Sequence, residues 1–224
     1  MEHEYRWHLG KGALAAPEAS EELREQLIQA SGLRLHEQAR ISQHTLCFDS
    51  PDWSLTSVGC SLTALVNRGA GPSWLVAKET VQWVDGRRDV LELTEYVADL
   101  VALSGADLIA SRPGQYLARR ASGLCGLSVF GYLSQRRTKA TLRTDDNAVL
   151  ALSCDAVELR DACSRLVNTF AILELEVNQA SRANLDLLSR VAGKFSALVG
   201  RAPADTTKPQ IAATHLGWGS QRGH

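Results

Sequence analysis

The sequence lacks the features that identify a membrane, secreted or nucleic-acid-binding protein. Its longest apolar runs are far too short to span a bilayer, and its first residues are charged. A formal net charge of −1 gives no support to binding of nucleic acid or an anionic membrane by the surface as a whole. We therefore expect a cytoplasmic protein without these partners, in which any charge-based function comes from local clustering.

Cysteine and histidine occur, but not in the patterns that mark a function. The five cysteines include no Cys-x-x-Cys pair, and their odd number argues against a closed disulfide framework. The six histidines include no His-x-x-x-His pair that would indicate zinc. The glycine-rich spots lack the Lys-Ser or Lys-Thr ending of a phosphate loop, and no serine has the context of a hydrolase nucleophile.

What the sequence does contain is a series of short, alternating segments. Charged and apolar residues alternate from residue 2 to 9, which predicts a strand with Glu2, Glu4 and Arg6 on one face. Helical spacing predicts a helix at 20–32, two short helices within 92–120 with Thr94 as a possible N-cap, and a helix at 181–199. Further strands are predicted at 40–49, 58–67, 73–81, 126–133, 136–143, 149–154 and 171–178.

This order of elements predicts an antiparallel α+β protein. At 224 residues, with 45% hydrophobic and 22% charged residues, the chain is long enough for one globular domain with a full core. Many strands at short spacing with few helices between them favour an antiparallel sheet. We expect that domain to cover residues 1–200, and residues 201–224 to form a loose tail with at most one further strand.

Several of the predicted strands carry charge along one face. Carboxylates are hard oxygen ligands for Mg²⁺ or Mn²⁺, while Lys and Arg neutralise phosphate oxygens. The alternative interpretation, which composition alone favours, is a set of solvated, salt-bridged strand faces. If the faces instead share one cavity, it holds five basic and five acidic groups: Glu2, Glu4, Arg6, Lys78, Arg137, Lys139, Arg143, Asp155, Glu174 and Glu176.

Short motifs in a fixed order resemble those of the CYTH, or triphosphate tunnel metalloenzyme, superfamily. Glu2-x-Glu4-x-Arg6 resembles the family's opening Glu-x-Glu-x-Lys signature, with Arg in place of Lys. Residues 47–52, with Leu55 and the segment 59–62, are similar to its Tyr-Phe-Asp-Thr-Pro-Asp, Leu and Gly-x-Ser-Leu elements. The later matches are Lys78 at a strand end, Arg137-Thr138-Lys139, Asp155, Leu173-Glu174-Leu175-Glu176 and, faintly, Thr207-Lys208 for a late Ser-Lys.

The resemblance implies an eight-stranded antiparallel β-barrel that forms a tunnel with flanking helices. Characterised members hydrolyse tripolyphosphate, thiamine triphosphate or RNA 5′-triphosphates, or cyclise ATP. The implied cofactor is Mg²⁺ or Mn²⁺, the implied partner is a phosphate-rich small molecule, and an oligomer stays open. Carried over by position, the implied metal ligands are Glu2, Glu4, Asp155, Glu174 and Glu176, the substrate-binding cations are Arg6, Lys78, Arg137, Lys139 and Arg143, and the catalytic residues are Glu4 and Lys78.

Two segments depart from the family pattern. Where the family has an inward Arg-x-Arg, this chain has Thr63 and Leu65, which cannot make bidentate phosphate contacts. The alternation places the nearby Arg68 on the opposite face unless a bulge intervenes. An Arg-x-Glu-x-Glu element appears only as Arg88-x-Val90-x-Glu92. Three functions therefore stay open: metal-dependent hydrolysis or transfer of a triphosphate-containing small molecule, a non-catalytic barrel that binds a nucleotide, polyphosphate or phosphorylated organic ligand, and adenylyl cyclase chemistry, which rests on analogy alone.

Overall fold

Eight antiparallel strands close into a barrel in the spatial order β1-β5-β4-β3-β2-β6-β7-β8. The computed structural model describes residues 1–10, 17–67, 73–98, 104–121, 124–145, 148–178 and 181–218. The strands are β1 (Glu2–Leu9), β2 (Arg34–Asp49), β3 (Cys60–Asn67), β4 (Ser73–Val84), β5 (Arg87–Val97), β6 (Ser128–Arg143), β7 (Val149–Asp161) and β8 (Leu166–Val177). The predicted α+β barrel is thus confirmed.

Six helices flank this barrel in the described part of the chain. They are α1 (Pro17–Ser31), α2 (Ser54–Ser57), α3 (Gly105–Ala110), α4 (Arg112–Ala118), α5 (Arg182–Val199) and α6 (Lys208–His215). Helix α5 begins and ends where the sequence indicates, with Ser181 as N-cap and Gly200 in the left-handed conformation as C-cap. Among the described residues, no helix combines the length and apolar character needed to cross a membrane.

The prediction of a helix beginning near residue 92 is wrong. Residues 87–97 form β5, which pairs with β1 on one side and β4 on the other. Leu93 and Val97 pack outward while Glu92 lines the interior, which is the period-two pattern of a strand. The apolar residues that continue to residue 103 mimic a helical repeat, and pairing with two neighbouring strands overrides that local preference.

Two other sequence predictions also differ from the structure. The segments 126–133 and 136–143 are not separate strands but parts of the single long strand β6, which pairs along its length with β2 and β7. Within the segment 201–224, the described residues form α6 rather than an extra strand. Thr207 caps this helix through a reciprocal pair of hydrogen bonds with Gln210, and Pro209 stands in its first turn.

The outer face of the barrel packs against helices on two sides. Tyr5 and Trp7 alternate along β1 with the inward Glu4 and Arg6, and Trp7 packs on Phe195 of α5 with ring centroids 6.0 Å apart. A second cluster joins β3 and β4 to α3 and α4. Burying an apolar side chain of this size stabilises the fold by about 1.5–3 kcal/mol. The helices therefore hold the alternation of β1 in register, and Glu4 and Arg6 stay inside.

Helix α6 covers one end of the barrel interior. Its Ala212 is fully buried against four inward side chains from β2, β6 and β7, and Leu216 packs on the same cluster. We call this cluster the apolar floor; its strand residues are Cys47, Leu133, Val157 and Leu159. The charged part of the interior thus lies on one side of an apolar layer closed by the C-terminal helix.

The Asp of the family-like segment 47–52 has a structural role. Asp49 is 2% exposed, and its Oδ1 accepts hydrogen bonds from the backbone N–H groups of Ser50 and Leu55, at 2.8 and 3.0 Å. Its Oδ2 accepts from the backbone N–H and hydroxyl of Thr56, at 3.0 and 2.7 Å. One buried carboxylate therefore organises the turn between β2 and α2, away from the charged interior.

Replacing Asp49 should destabilise the fold without altering the interior. We expect Asp49→Ala to lower the free energy of unfolding by about 2–4 kcal/mol, because it leaves several buried donors without an acceptor. The measurement is equilibrium unfolding in urea. Asp52→Ala is the matched control: Asp52 is exposed and accepts from the hydroxyls of Ser50 and Ser54, so its loss should cost less than about 1 kcal/mol. Equal costs for the two variants would contradict the structural role of Asp49.

Candidate functional site

The barrel encloses a cavity of about 330 Å³. Its lining comes from seven of the eight strands and from the start of α6, because the side chains that alternate inward on neighbouring strands converge on the axis. The charged lining residues are Glu2, Glu4, Arg6, Lys78, Arg88, Glu92, Arg137, Lys139, Glu174, Glu176 and Lys208.

Three carboxylates in this cavity lie close enough to hold one metal ion. Glu2 and Glu4 come from β1, and Glu176 stands opposite Glu4 on β8. One carboxylate oxygen from each lies within 4.8 Å of the others. We call these residues the carboxylate triad. Burial and the charge of Glu2 raise the pKa of Glu176 to about 7, although Lys139 lies 3.6 Å from its Oε1.

The pKa of Glu2 is shifted in the opposite direction. Burial acts to raise the pKa of Glu2, but the attraction of Lys78 together with hydrogen bonds to Glu4 and Lys78 outweighs it, and the pKa is lowered. Lys78 donates to Glu2 at 3.0 Å and also pairs with Glu92 at 2.7 Å. Burial opposes the charge on Lys78, yet both carboxylates raise its pKa above the ordinary value. Lys78 is therefore a protonated cation beside the triad.

A second group of charges lies between the triad and α6. Arg137 donates to both oxygens of Asp155 at 2.8 and 2.7 Å, and Lys208 also donates to Asp155. Glu174 accepts from Arg6 at 2.7 Å and from Lys208 at 2.8 Å. Although burial acts to raise the pKa of Glu174, the cations Lys208, Arg6 and Arg137 hold it well below its usual range. We call these five residues the ion-pair cluster.

The five carboxylates expected to share a metal site therefore occupy two places. Glu2, Glu4 and Glu176 form the triad, whereas Asp155 and Glu174 belong to the ion-pair cluster. Of the five expected substrate-binding cations, Arg6, Lys78, Arg137 and Lys139 line the cavity and Arg143 does not. Arg143 has the same alternation on β6 as the inward residues Arg137 and Lys139. It lies four residues beyond Lys139, at the end of the strand, which extends past the cavity.

Three charged residues of the cavity were not among the predicted site residues. Arg88 is 3% exposed and donates to Glu4 at 2.9 Å and to Thr80 at 2.8 Å; burial lowers its pKa. Glu92 pairs with Lys78, and Lys208 belongs to the ion-pair cluster. The signals for them are the partial Arg88-x-Val90-x-Glu92 element and the faint Thr207-Lys208 match. The incorrect prediction of a helix from residue 92 separates Glu92 from the strand that carries Arg88, although both lie on β5.

One part of the cavity wall carries no charge. Thr63 and Leu65 do face the cavity, as expected from the alternation of β3, and Gln43, Thr45 and Gln135 from β2 and β6 lie beside them. Gln135 Nε2 donates to the hydroxyl of Thr45 at 2.8 Å. Arg68, the other cation of this region, is outside the described residues. The cavity thus has a charged side and a neutral side.

Comparison with known proteins adds evidence on the fold. No family model and no curated protein matches the chain. Among solved structures, a candidate adenylyl cyclase from Hippeastrum, described as having a dominant triphosphatase activity, matches with a TM-score of 0.61 at 17% identity, over 96% of each chain. A candidate adenylate cyclase from Bacillus halodurans matches with a TM-score of 0.57 at 18% identity, over 93% of this chain and 95% of that chain.

A third solved structure supports the same conclusion. A protein from Pyrococcus horikoshii matches with a TM-score of 0.54 at 14% identity, over 94% of this chain and 99% of that chain. Identities this low show the fold alone. Together with the closed eight-stranded barrel, they show that this chain shares the fold of these proteins, which is the barrel that the resemblance to the CYTH superfamily implies.

Proposed function

We propose that the barrel binds a triphosphate-containing small molecule together with Mg²⁺ or Mn²⁺ and catalyses metal-dependent hydrolysis, or transfer, of a phosphoryl group. The observation that carries this proposal is the carboxylate triad beside accessible cations in one cavity. Carboxylates suit a hard divalent ion, and Lys and Arg suit phosphate oxygens. The cavity offers both within one barrel.

The triad fits a divalent cation on the evidence of its own electrostatics. One oxygen of each of Glu2, Glu4 and Glu176 lies within 4.8 Å of the others. Burial and the charge of Glu2 raise the pKa of Glu176, so a positive ion bound here would favour its ionised form. A divalent ion held there supplies positive charge that polarises phosphate oxygens and bound water. In this proposal Asp155 and Glu174 support the site by holding Arg6, Arg137 and Lys208 in position.

Exposure separates the cations that a ligand reaches from those that hold the site together. The side chains of Lys78, Arg137 and Lys139 are 29%, 21% and 41% exposed. Those of Arg6, Arg88 and Lys208 are all below 10% exposed. Arg6 and Lys208 each pair with two carboxylates, and Arg88 pairs with Glu4 and donates to Thr80. We assign phosphate binding to the three accessible cations, and orientation of Glu4 and Glu174 to Arg6 and its buried neighbours.

This arrangement acts through positioning and charge. The proposal assigns no nucleophile to a side chain, because phosphoryl transfer to water can proceed on orientation and electrostatic stabilisation. Lys78 neutralises charge that develops on the phosphoryl oxygens. Arg6 and Arg88 both donate to Oε1 of Glu4, at 2.8 and 2.9 Å, and so fix the orientation of its carboxylate. These are the catalytic roles that we propose for the two residues.

A second function, binding without turnover, is favoured by one specific observation. Thr63 and Leu65 leave the wall of β3 without guanidinium groups, and each charged cation of the described lining already pairs with a carboxylate. A phosphate chain must therefore compete with existing ion pairs. Adenylyl cyclase chemistry has no comparable support in the cavity.

Metal binding should be visible as stabilisation of the folded protein. Mn²⁺ or Mg²⁺ at about one hundred times its dissociation constant should raise the thermal unfolding midpoint by about 5 °C or more, and chelator should reverse the shift. Glu176→Gln should abolish it. Without metal this variant should unfold no earlier than the wild type, because the substitution removes repulsion from Glu2. The control is Glu158→Gln, an exposed glutamate of β7, and an equal shift in both variants would remove the triad as the metal site.

Turnover is tested directly by phosphate and pyrophosphate release from tripolyphosphate, ATP and thiamine triphosphate. We expect release that needs Mg²⁺ or Mn²⁺ and falls at least about a hundredfold in Glu4→Gln, since a metal ligand acts in the reacting complex. Glu158→Gln should keep the wild-type rate. Release that is absent from the wild type with every substrate would leave the binding function as the better account.

The neutral wall predicts a gain of affinity on restoring charge. The double variant Thr63→Arg, Leu65→Arg should bind tripolyphosphate about tenfold or more tightly, because each charge-assisted contact contributes about 1.5–3 kcal/mol. The matched control, Thr63→Gln with Leu65→Gln, adds length without charge and should leave the affinity nearly unchanged. Calorimetric titration gives both values. Equal affinities for the two double variants would show that these positions do not face the phosphates.

A further inference from the structure

An uncharged row of side chains crosses the inner wall of the barrel. Cross-strand partners place Leu133 of β6 opposite Thr45 of β2, and Thr45 opposite Leu65 of β3. The same row continues from Leu65 to Trp74 of β4 and Tyr96 of β5. It begins at Leu133 in the apolar floor and ends at two exposed aromatic rings. We call these five residues the neutral row.

The alternation of β4 and β5 directs the aromatic residues of this row to the inner side. On β4, Leu75 packs outward against the α3 and α4 cluster, while Val76 lines the cavity and shares its parity with Trp74. On β5, Val97 packs outward and Glu92 lines the cavity with the parity of Tyr96. The two rings contact each other edge to face, with centroids 6.0 Å apart.

These aromatic rings are unusually accessible for residues beside a cavity. Trp74 is 37% exposed and Tyr96 is 57% exposed. An aromatic face that is left open next to an apolar residue such as Leu65 can stack on a planar ring, and such stacking typically contributes about 1–3 kcal/mol. The outer end of the neutral row therefore has the chemistry of a ring-binding surface.

The deeper part of the same wall disfavours phosphate. Gln135 is 3% exposed, lines the cavity beside Thr45, and its Oε1 has no hydrogen-bond partner among the described residues. Phosphate oxygens are acceptors and cannot satisfy another acceptor, and no cation of the described lining lies on β2 or β3. An uncharged group with N–H or O–H donors fits this wall better than a phosphate does.

Resting on the function proposed above, we propose that the neutral row binds an aromatic heterocyclic ring that is covalently attached to the phosphate chain. One of Trp74 and Tyr96 stacks on the ring and the other, nearly perpendicular to it, contacts the edge of the ring, while Lys78 and Lys139 hold the phosphates beside the triad. Trp74 and Lys78 are four residues apart on β4, or about 13 Å at 3.3 Å per residue. That separation leaves room for the atoms that link a ring to its phosphates. The preferred ligand is then an organic triphosphate rather than inorganic tripolyphosphate.

The test compares ligands that share a phosphate chain and differ in the ring. Calorimetric titrations in Mg²⁺ use the β,γ-imido analogue of ATP, thiamine triphosphate, and diimidotriphosphate as the ring-free chain. We expect Trp74→Ala and Tyr96→Ala to weaken binding of at least one ring-bearing ligand about tenfold, which corresponds to about 1.4 kcal/mol. The same variants should bind diimidotriphosphate within about twofold of the wild type. Trp74→Phe should keep most of the affinity, because it retains an aromatic face.

The control is Trp83→Ala. Trp83 lies on the same strand beyond a β-bulge, and its exposed fraction of 37% equals that of Trp74. Its loss should change no affinity. The inference on the row fails alone if ring-bearing ligands bind and Trp74→Ala changes nothing, or weakens all three ligands equally. It also fails if the only effect of Trp74→Ala is a change of oligomeric state in analytical ultracentrifugation, because Trp74 would then contact a second copy of the chain. If no ligand binds the wild type, the proposed function fails with it.

Discussion

Glu174 is buried at the centre of the barrel and is contacted by three cations that come from three different parts of the chain. Arg6 belongs to β1, Arg137 to β6 and Lys208 to α6. Moving a charge out of water costs several kcal/mol, and removing one partner of a buried pair typically costs about 3–5 kcal/mol. An interior this polar is compatible with a stable barrel because Glu174 and its three cations neutralise one another, so strand register, helix docking and cavity shape all depend on this group.

The same pairing limits what the cavity can do with a ligand. An anion that enters must replace carboxylates as the partner of Lys78, Arg137 or Lys139. A cation bound at the triad changes this competition, since it withdraws Glu2 and Glu176 from the lysines they now contact. Metal and phosphate binding are therefore expected to reinforce each other, because each releases a partner of the other. The neutral row contains no ion pair that a ligand must replace, and it adds affinity only through contacts with the uncharged part of a ligand.

The parts of this arrangement that repeat locally are predictable from the sequence. Two-residue alternation identifies β1 and places Glu2, Glu4 and Arg6 on one face, and the same rule orients Thr63 and Leu65 inward. Positions that depend on partners distant in the sequence are not predictable in this way. Glu92 and Arg88 sit on a strand only because β1 and β4 flank it, and Lys208 reaches the centre only because α6 docks over the apolar floor. Arg143 alternates to the same side of β6 as the cavity residues but lies beyond the end of the cavity. Alternation along a strand does not specify this position along the barrel axis.

The closing strand pair has a consequence for how this barrel assembles. One edge of β1 can pair early with β5, but along the other edge His3 to Leu9 pair with Ala171 to Val177, which are synthesised about a hundred and seventy residues later. Until then β1 exposes an edge that carries both Trp7 and the buried charges. During synthesis the consecutive strands β2 to β5, and then β6 and β7, can form hairpins early. The interior stays open to water until residue 208 has been synthesised. Folding is thus expected to be slow and largely post-translational, and most vulnerable to aggregation in the interval before closure.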